Sequence, residues 1–150
     1  MYGEGLVLGI GYETDENSRY EGLKLCMFDV SDPLQPVASD SYVMPEVSRT
    51  TALYDYKAIL VDAKKNLIGF VTESWNDGFT CVYELFSWNG AAFQEIMSVP
   101  LCENGDYNWY MEETRGLYAG NYFYVVADDG IVSFDMENGF AEVDRVTFIK

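Results

Sequence analysis

The feature that most constrains the fold of this chain is a short motif that occurs three times. Each copy places an aromatic residue before an acidic residue and then an aliphatic one. The copies align without gaps at residues 26–30, 81–85 and 132–136, with Phe28, Tyr83 and Phe134 at the aromatic position. Side chains alternate between the two faces of a strand, so each copy predicts a β-strand. A repeat of roughly 40–50 residues is typical of a β-propeller blade.

The rest of the chain has the same character. Short apolar or alternating runs, separated by Gly, Asn, Asp and Pro, predict eleven strands in groups of three, four and four. These strands cover 6–12, 23–30 and 37–44, then 57–61, 67–72, 80–88 and 93–101, then 117–118, 122–127, 131–136 and 143–149. Residues 46–54 are the one helix candidate, and an irregular loop fits them equally well.

We therefore predict an all-β protein of about three four-stranded antiparallel β-propeller blades, the first of which lacks its inner strand. A single propeller-like domain over 1–150 would contain blades at about 1–45, 52–101 and 115–150. The gapless motif predicts that Phe28, Tyr83 and Phe134 are buried at equivalent positions between blades. Asp29 would face the other way and cap a turn.

Charge and composition exclude several functional classes. The chain has 25 acidic and 9 basic residues, a formal net charge of −16, and no histidine. The acidity opposes binding to nucleic acid or to an anionic membrane. Without histidine, neither Ser-His-Asp nor Cys-His catalysis is available, and no metal site can use a histidine ligand. The sequence contains no stretch of 18 apolar residues, so it predicts no membrane-spanning helix.

The three cysteines are expected to be structural. Cys26, Cys81 and Cys102 are an odd number and form no Cys-x-x-Cys pair, so at least one is free or paired between chains. Cys26 and Cys81 lie in apolar runs, where cysteine packs as a small hydrophobic residue. A reactive thiolate would need a neighbouring cation or histidine, and the sequence places none beside them.

Two segments are candidate binding sites. Tyr107, Trp109 and Tyr110 would form an exposed aromatic patch able to stack on sugars, or a packed connector between blades. Asp15 and Glu16 lie in an acidic loop that could ligate calcium, although its spacing is not that of an EF-hand and a solvated hairpin loop fits as well. We expect no catalytic residue, no bound metal and no cofactor, with calcium as the one exception.

Several segments resemble a known family. Residues 8–14 (LGIGYET), 22–25 (GLKL) and 28–33 (FDVSDP) are similar to secreted bacterial and archaeal β-propeller-domain proteins, which are distantly related to WD-type repeats. Residues 52–58 (ALYDYKA) and 115–126 look like later stretches of the same family, in the order of its C-terminal blades. The resemblance implies an extracellular or envelope-attached protein, and it brings no catalytic residue and no cofactor.

The chain departs from that family in two respects. The propellers of that family are longer than this chain. The N-terminal residues of the chain also lack the basic start and the long apolar middle of a signal peptide. The function we expect is a non-enzymatic binding or scaffold module of a secreted or cell-surface protein, with a protein or glycan partner. The alternatives are a fragment of a carbohydrate-active enzyme similar to glycoside hydrolases, which would use a pair of carboxylates, and a structural fragment without a site.

Three blades would leave two open apolar flanks. Such flanks and unpaired strand edges favour association. The isolated chain is therefore expected to form a homo-oligomer, most simply a two-fold dimer through a flank of the first or third blade.

Overall fold

The computed structural model describes residues 2–76, 78–103 and 113–148 and contains three antiparallel sheets. The first sheet consists of β1 (Leu6–Thr14), β2 (Tyr20–Asp29) and β3 (Val37–Met44). The second consists of β4 (Ile59–Asp62), β5 (Leu67–Ser74), β6 (Thr80–Trp88) and β7 (Phe93–Glu103). The third consists of β8 (Arg115–Ala119), β9 (Tyr122–Ala127), β10 (Gly130–Asp135) and β11 (Ala141–Thr147). We call the sheets blades 1, 2 and 3.

The predicted all-β class is confirmed. Each blade is a simple meander in chain order, and the described strands fall into groups of three, four and four. Among the described residues, blade 1 has no counterpart of β4 or β8, so β1 forms its inner edge. Of the two readings of residues 46–54, the structure shows the irregular loop and not the helix. Residues 48 and 49 instead pair with Glu73 through backbone hydrogen bonds, and only Thr51–Leu53 forms a single 3-10 turn.

Blade 2 lies between the other two, and two apolar clusters hold the blades together. One cluster joins blades 1 and 2 and includes Leu25, Met27, Phe70, Phe86 and Trp88. The other joins blades 2 and 3 and includes Tyr83, Leu85, Phe123, Val132 and Phe134. The side of a blade that faces the blade before it in the chain is called here its preceding face. The side that faces the next blade is called its following face.

A β-bulge marks the same point in every blade. The last two strands of each blade lose register, between Met27 and Phe28, between Leu85 and Phe86, and between Ser133 and Phe134. On the other side of the same strand, the phenylalanine after each bulge pairs with the second residue of β1, β5 or β9. These second residues are Val7, Ile68 and Phe123 in turn. Phe28, Phe86 and Phe134 are therefore the equivalent positions, and each lies on the preceding face of its blade.

This register corrects the gapless alignment. Tyr83 is not equivalent to Phe28 and Phe134, because it lies three residues before Phe86. An odd shift along a strand moves a side chain to the opposite face. Tyr83 and Phe134 are buried as predicted, with 1% and 5% of their surface exposed. Phe28 is 36% exposed, and its predicted burial is wrong, because the preceding face of blade 1 is an outer flank of the described fold.

Two local details complete the fold. Asp29 does cap a turn, as expected, since its Oδ1 accepts a hydrogen bond from the Ser31 backbone N–H at 2.8 Å. Asp135, at the equivalent place in blade 3, caps the Glu137 N–H in the same way at 2.9 Å. Within the three described ranges, no helix has the length and apolar character needed to cross a membrane.

Candidate functional site

The acidic loop between β1 and β2 is a capped turn. The Asp15 carboxylate accepts hydrogen bonds at 2.8 Å from the backbone N–H groups of Asn17 and Arg19. These bonds hold the pKa of Asp15 below its ordinary value, the Arg19 bond most strongly. Glu16 beside it is exposed. Across the described part of the chain, no group of three or more acidic or cysteine side chains is arranged to hold a metal ion.

The aromatic candidates have different outcomes. Tyr107, Trp109 and Tyr110 lie outside the described residues, so their role as a patch or a connector stays a prediction. Of the other tryptophans, Trp88 is buried in the cluster between blades 1 and 2, whereas Trp75 is 43% exposed beside Phe79.

A cavity lies at the inner edge of blade 1, where the other two blades have an inner strand. It has a volume of about 410 Å³. Leu8 and Ile10, on the following face of β1, form one wall, and Ile59 and Val61 of β4 form the opposite wall. The rest of the lining consists of Ala52, Leu53, Tyr54 and Tyr56. We call this cavity the inner-edge groove.

The connection between β3 and β4 shapes the groove and is firmly anchored. Thr50 is fully buried, and its Oγ1 donates a hydrogen bond to the Val71 carbonyl at 2.6 Å while accepting one from the Ala52 N–H at 3.2 Å. Beside it, the Arg49 guanidinium lies 3.9 Å from the largely buried Glu73 carboxylate. These contacts fix the 3-10 turn that presents Leu53 and the tyrosines to the groove.

Two tyrosines stand at the mouth of the groove with their rings in solvent. Tyr54 is 66% exposed and Tyr56 is 81% exposed. Between them, the Asp55 carboxylate accepts the Lys57 N–H at 2.9 Å and pairs with the Arg115 guanidinium at 3.3 Å. Asp55 therefore ties this loop to blade 3 and holds both rings beside the apolar side chains of the groove. This arrangement suits binding rather than proton transfer.

A second cluster joins two carboxylates at the interface between blades 1 and 2. The Ser98 hydroxyl donates a short hydrogen bond to Glu84 and also lies 3.1 Å from Glu95. Thr72 and Tyr42 contact the same two acids. Burial raises the pKa of Glu84, and the neighbouring Glu95 charge adds to the effect. Glu84 therefore holds its proton more tightly than an isolated glutamate, and a second carboxylate lies beside it.

The cysteine thiols fit the structural reading. All three are free. Burial raises the pKa of Cys81 and of Cys26, which disfavours the thiolate form that a nucleophile needs.

The sequence did not single out the groove. In the sequence, Tyr54-Asp55-Tyr56-Lys57 belongs only to the stretch 52–58 that resembles the propeller family. Two aromatic residues that flank an acid in a non-strand segment are the signal that marks it, because such rings have no sheet face on which to be buried.

Comparison with known proteins identifies the class. Three consecutive antiparallel blades that share one bulge position are consistent with part of a β-propeller. The family model described as "Beta propeller domain" matches residues 1–139. The chain belongs to this family. No curated protein and no solved structure matched it.

Proposed function

We propose that the chain is a non-enzymatic binding module that accepts an extended peptide segment in the inner-edge groove. One observation carries this proposal. β1 is an edge strand, and its apolar side chains Leu8 and Ile10 line an open groove at the place where β4 and β8 complete the other two blades. An exposed strand edge beside apolar pockets is the arrangement that binds peptides by strand addition.

The chemistry of the groove supports a protein ligand over a glycan. Its walls are aliphatic, so they favour apolar side chains rather than hydroxyl groups. The exposed rings of Tyr54 and Tyr56 add apolar contact area with a polar tip at little cost in side-chain entropy. The negative charge of the chain favours peptides that carry Lys or Arg outside the groove.

Selection from a random 12-residue phage-display library tests the proposal. Selected peptides should bind the chain and lose at least about tenfold in affinity when Tyr54 and Tyr56 are replaced by alanine. Trp75→Ala removes another exposed aromatic side chain, 43% accessible and outside the groove, and should leave binding unchanged. Binding to a glycan array, abolished by the same tyrosine changes, would instead make the ligand a glycan and contradict the peptide proposal.

The second candidate function is glycoside hydrolysis by a carbohydrate-active fragment. The raised pKa of Glu84 beside Glu95 is the observation in its favour, because one acid and one carboxylate are the pair that such enzymes use. Hydrolysis of chromogenic glycosides, lost in Glu84→Gln, would support it. Absence of turnover across a broad glycoside panel would favour the binding module.

Location, cofactors and assembly are also part of the proposal. We place the protein outside the cell or in the cell envelope, and we expect no cofactor apart from calcium at the Asp15–Glu16 turn. The isolated chain forms a homo-oligomer through its open flanks. Calcium titration followed by calorimetry, and light scattering of the purified chain, test the last two expectations.

A further inference from the structure

The two outer flanks of the described fold are the two halves of an interblade interface. Inside the chain, the following face of one blade packs on the preceding face of the next. The preceding face of blade 1 and the following face of blade 3 remain open to solvent. Phe28 on the first is 36% exposed, and Tyr122 and Val146 on the second are 43% and 51% exposed.

The open faces have complementary shapes. The strands β1, β5 and β9 occupy the same place in their blades. On these strands, the following-face residues are Leu67, Gly69 and Val71 in blade 2 and Tyr122, Tyr124 and Val126 in blade 3. The preceding-face residues are Ile68, Phe70 and Thr72 in blade 2 and Val7, Gly9 and Gly11 in blade 1. Blade 3 thus presents large rings at positions where blade 1 presents a depression. This depression measures about 240 Å³ and is bordered by Gly9, Gly11, Lys24, Cys26 and Phe28.

We propose that a second copy of this chain covers both flanks, so that two copies form one closed ring of six blades. In each copy, the tyrosine-bearing face of blade 3 packs on the glycine-bearing face of blade 1 of the other copy. Closed propellers contain four to eight blades, and two copies of three blades fall within this range. A two-fold axis through the centre of the ring, perpendicular to its plane, relates the two copies, so the same contact occurs twice. The inference rests on the homo-oligomer proposed above and specifies its geometry.

The shared register predicts one particular contact between the copies. Val146 pairs with Ile131, and Tyr42 pairs with Leu25. Ile131 lies three residues before Phe134, and Leu25 lies three residues before Phe28, so Val146 and Tyr42 occupy equivalent positions in their blades. The Tyr42 ring contacts Phe86 with 5.1 Å between ring centroids. Because Phe86 is equivalent to Phe28, Val146 of one copy should contact Phe28 of the other and lie near its Cys26.

The first experiment fills the depression. Gly11→Phe places a ring on the glycine-bearing face, and a side chain at Gly11 would meet open space in the single chain. We expect light scattering to give twice the 17.0 kDa mass of one chain for the unaltered protein. Association should be at least about thirtyfold weaker in Gly11→Phe, with an unchanged far-ultraviolet dichroism spectrum. Ala91→Phe adds the same ring to an exposed turn of blade 2 and should leave the mass unchanged.

The second experiment tests the register by cross-linking. Val146→Cys treated with a short bis-maleimide should give a covalent dimer through the native Cys26, and Cys26→Ser should abolish it. Leu34→Cys, at a position 88% exposed in the connection between β2 and β3, should not cross-link. A dimer that shows no such cross-link and tolerates Gly11→Phe overturns the ring and leaves the homo-oligomer standing. A monomer at tens of micromolar overturns both. Neither result bears on peptide binding.

Discussion

The Tyr83 side chain shows how closely blades 2 and 3 approach each other. Its ring is buried, with its centroid 6.0 Å from that of Phe123, and its hydroxyl lies between the glycines of two neighbouring strands. A Cβ atom added at Gly69 or Gly116 would overlap that hydroxyl. The glycines therefore make room for the tyrosine, and neither has an unusual backbone angle that would explain it.

Two substitutions at Tyr83 should act in opposite directions. The hydroxyl is buried and makes no hydrogen bond within the described protein, and burial raises the pKa of Tyr83. Tyr83→Phe should therefore raise the free energy of unfolding, by up to about 1–3 kcal/mol. Tyr83→Ala should lower it by about 3–5 kcal/mol, because it empties a core position. Urea denaturation checks both, and a loss below about 1 kcal/mol in Tyr83→Ala would contradict the core assignment.

Glu84 should make the fold less stable as the pH rises. Burial raises the pKa of its carboxyl group in the folded state, so the folded chain holds this proton more tightly than the unfolded chain. The favourable contribution is complete below the unfolded pKa of about 4.3 and is lost as the pH increases through the folded pKa. Glu84→Gln should therefore raise the melting temperature at pH 7 relative to the unaltered chain, and much less at pH 4.

Loss of charge alone must be separated from this effect. Glu21→Gln removes an exposed acid and provides the matched control. If both variants shift the melting temperature equally at both pH values, the burial of Glu84 is not the cause. Differential scanning calorimetry at the two pH values provides the comparison.

At the scale of the elements, alternation of apolar and polar residues was enough to predict the strands. β3, β6 and β9 begin and end where the sequence indicated. Alternation alone could not predict which residues of different blades are equivalent, because the bulges that mark equivalent positions are visible only in the strand pairing. The extra residue of each bulge lies in the last strand of its blade, at Ser39, Ile96 or Val143. Phe28 and Tyr83 therefore looked equivalent in sequence, although they lie on opposite faces of their blades.

The connection between β3 and β4 depends on a single buried hydroxyl. Thr50 both donates to the Val71 carbonyl and accepts from the Ala52 N–H, so it satisfies two backbone groups at once. Thr50→Val keeps the shape and leaves both groups unpaired. It should lower the free energy of unfolding by about 1–3 kcal/mol, whereas Thr50→Ser should cost less because it retains the hydroxyl. Chemical denaturation of the two variants measures the difference, and equal losses would show that the methyl group matters instead.

For the whole molecule, the sequence predicted the propeller class but not its groove. The missing inner strand of blade 1 was expected from the strand count. The cavity beside it needs side chains from β1, β4 and the 45–58 connection, and these meet only after folding. The absence of histidine and the scatter of the cysteines argue against several catalytic mechanisms, and this expectation stays a prediction. The aromatic residues that stand at the groove, Tyr54 and Tyr56, differ from those that the sequence favoured.

The net charge of −16 should make both folding and association depend on salt. Acidic side chains outnumber basic ones by 25 to 9, so like charges repel one another within a copy and between two copies. The Debye length falls from about 30 Å at 0.01 M salt to about 8 Å at 0.15 M, which screens this repulsion. Raising sodium chloride over this range should therefore increase the melting temperature and strengthen association.

Replacing the exposed Glu16 and Glu21 with glutamine should mimic part of the salt effect. The double variant should melt at a higher temperature in low salt and respond less to added sodium chloride. Thermal melts and light scattering in parallel measure folding and association separately. A salt response equal in the variant and the unaltered chain would place the effect in hydrophobic burial rather than in charge repulsion, because salts also strengthen the burial of apolar surface.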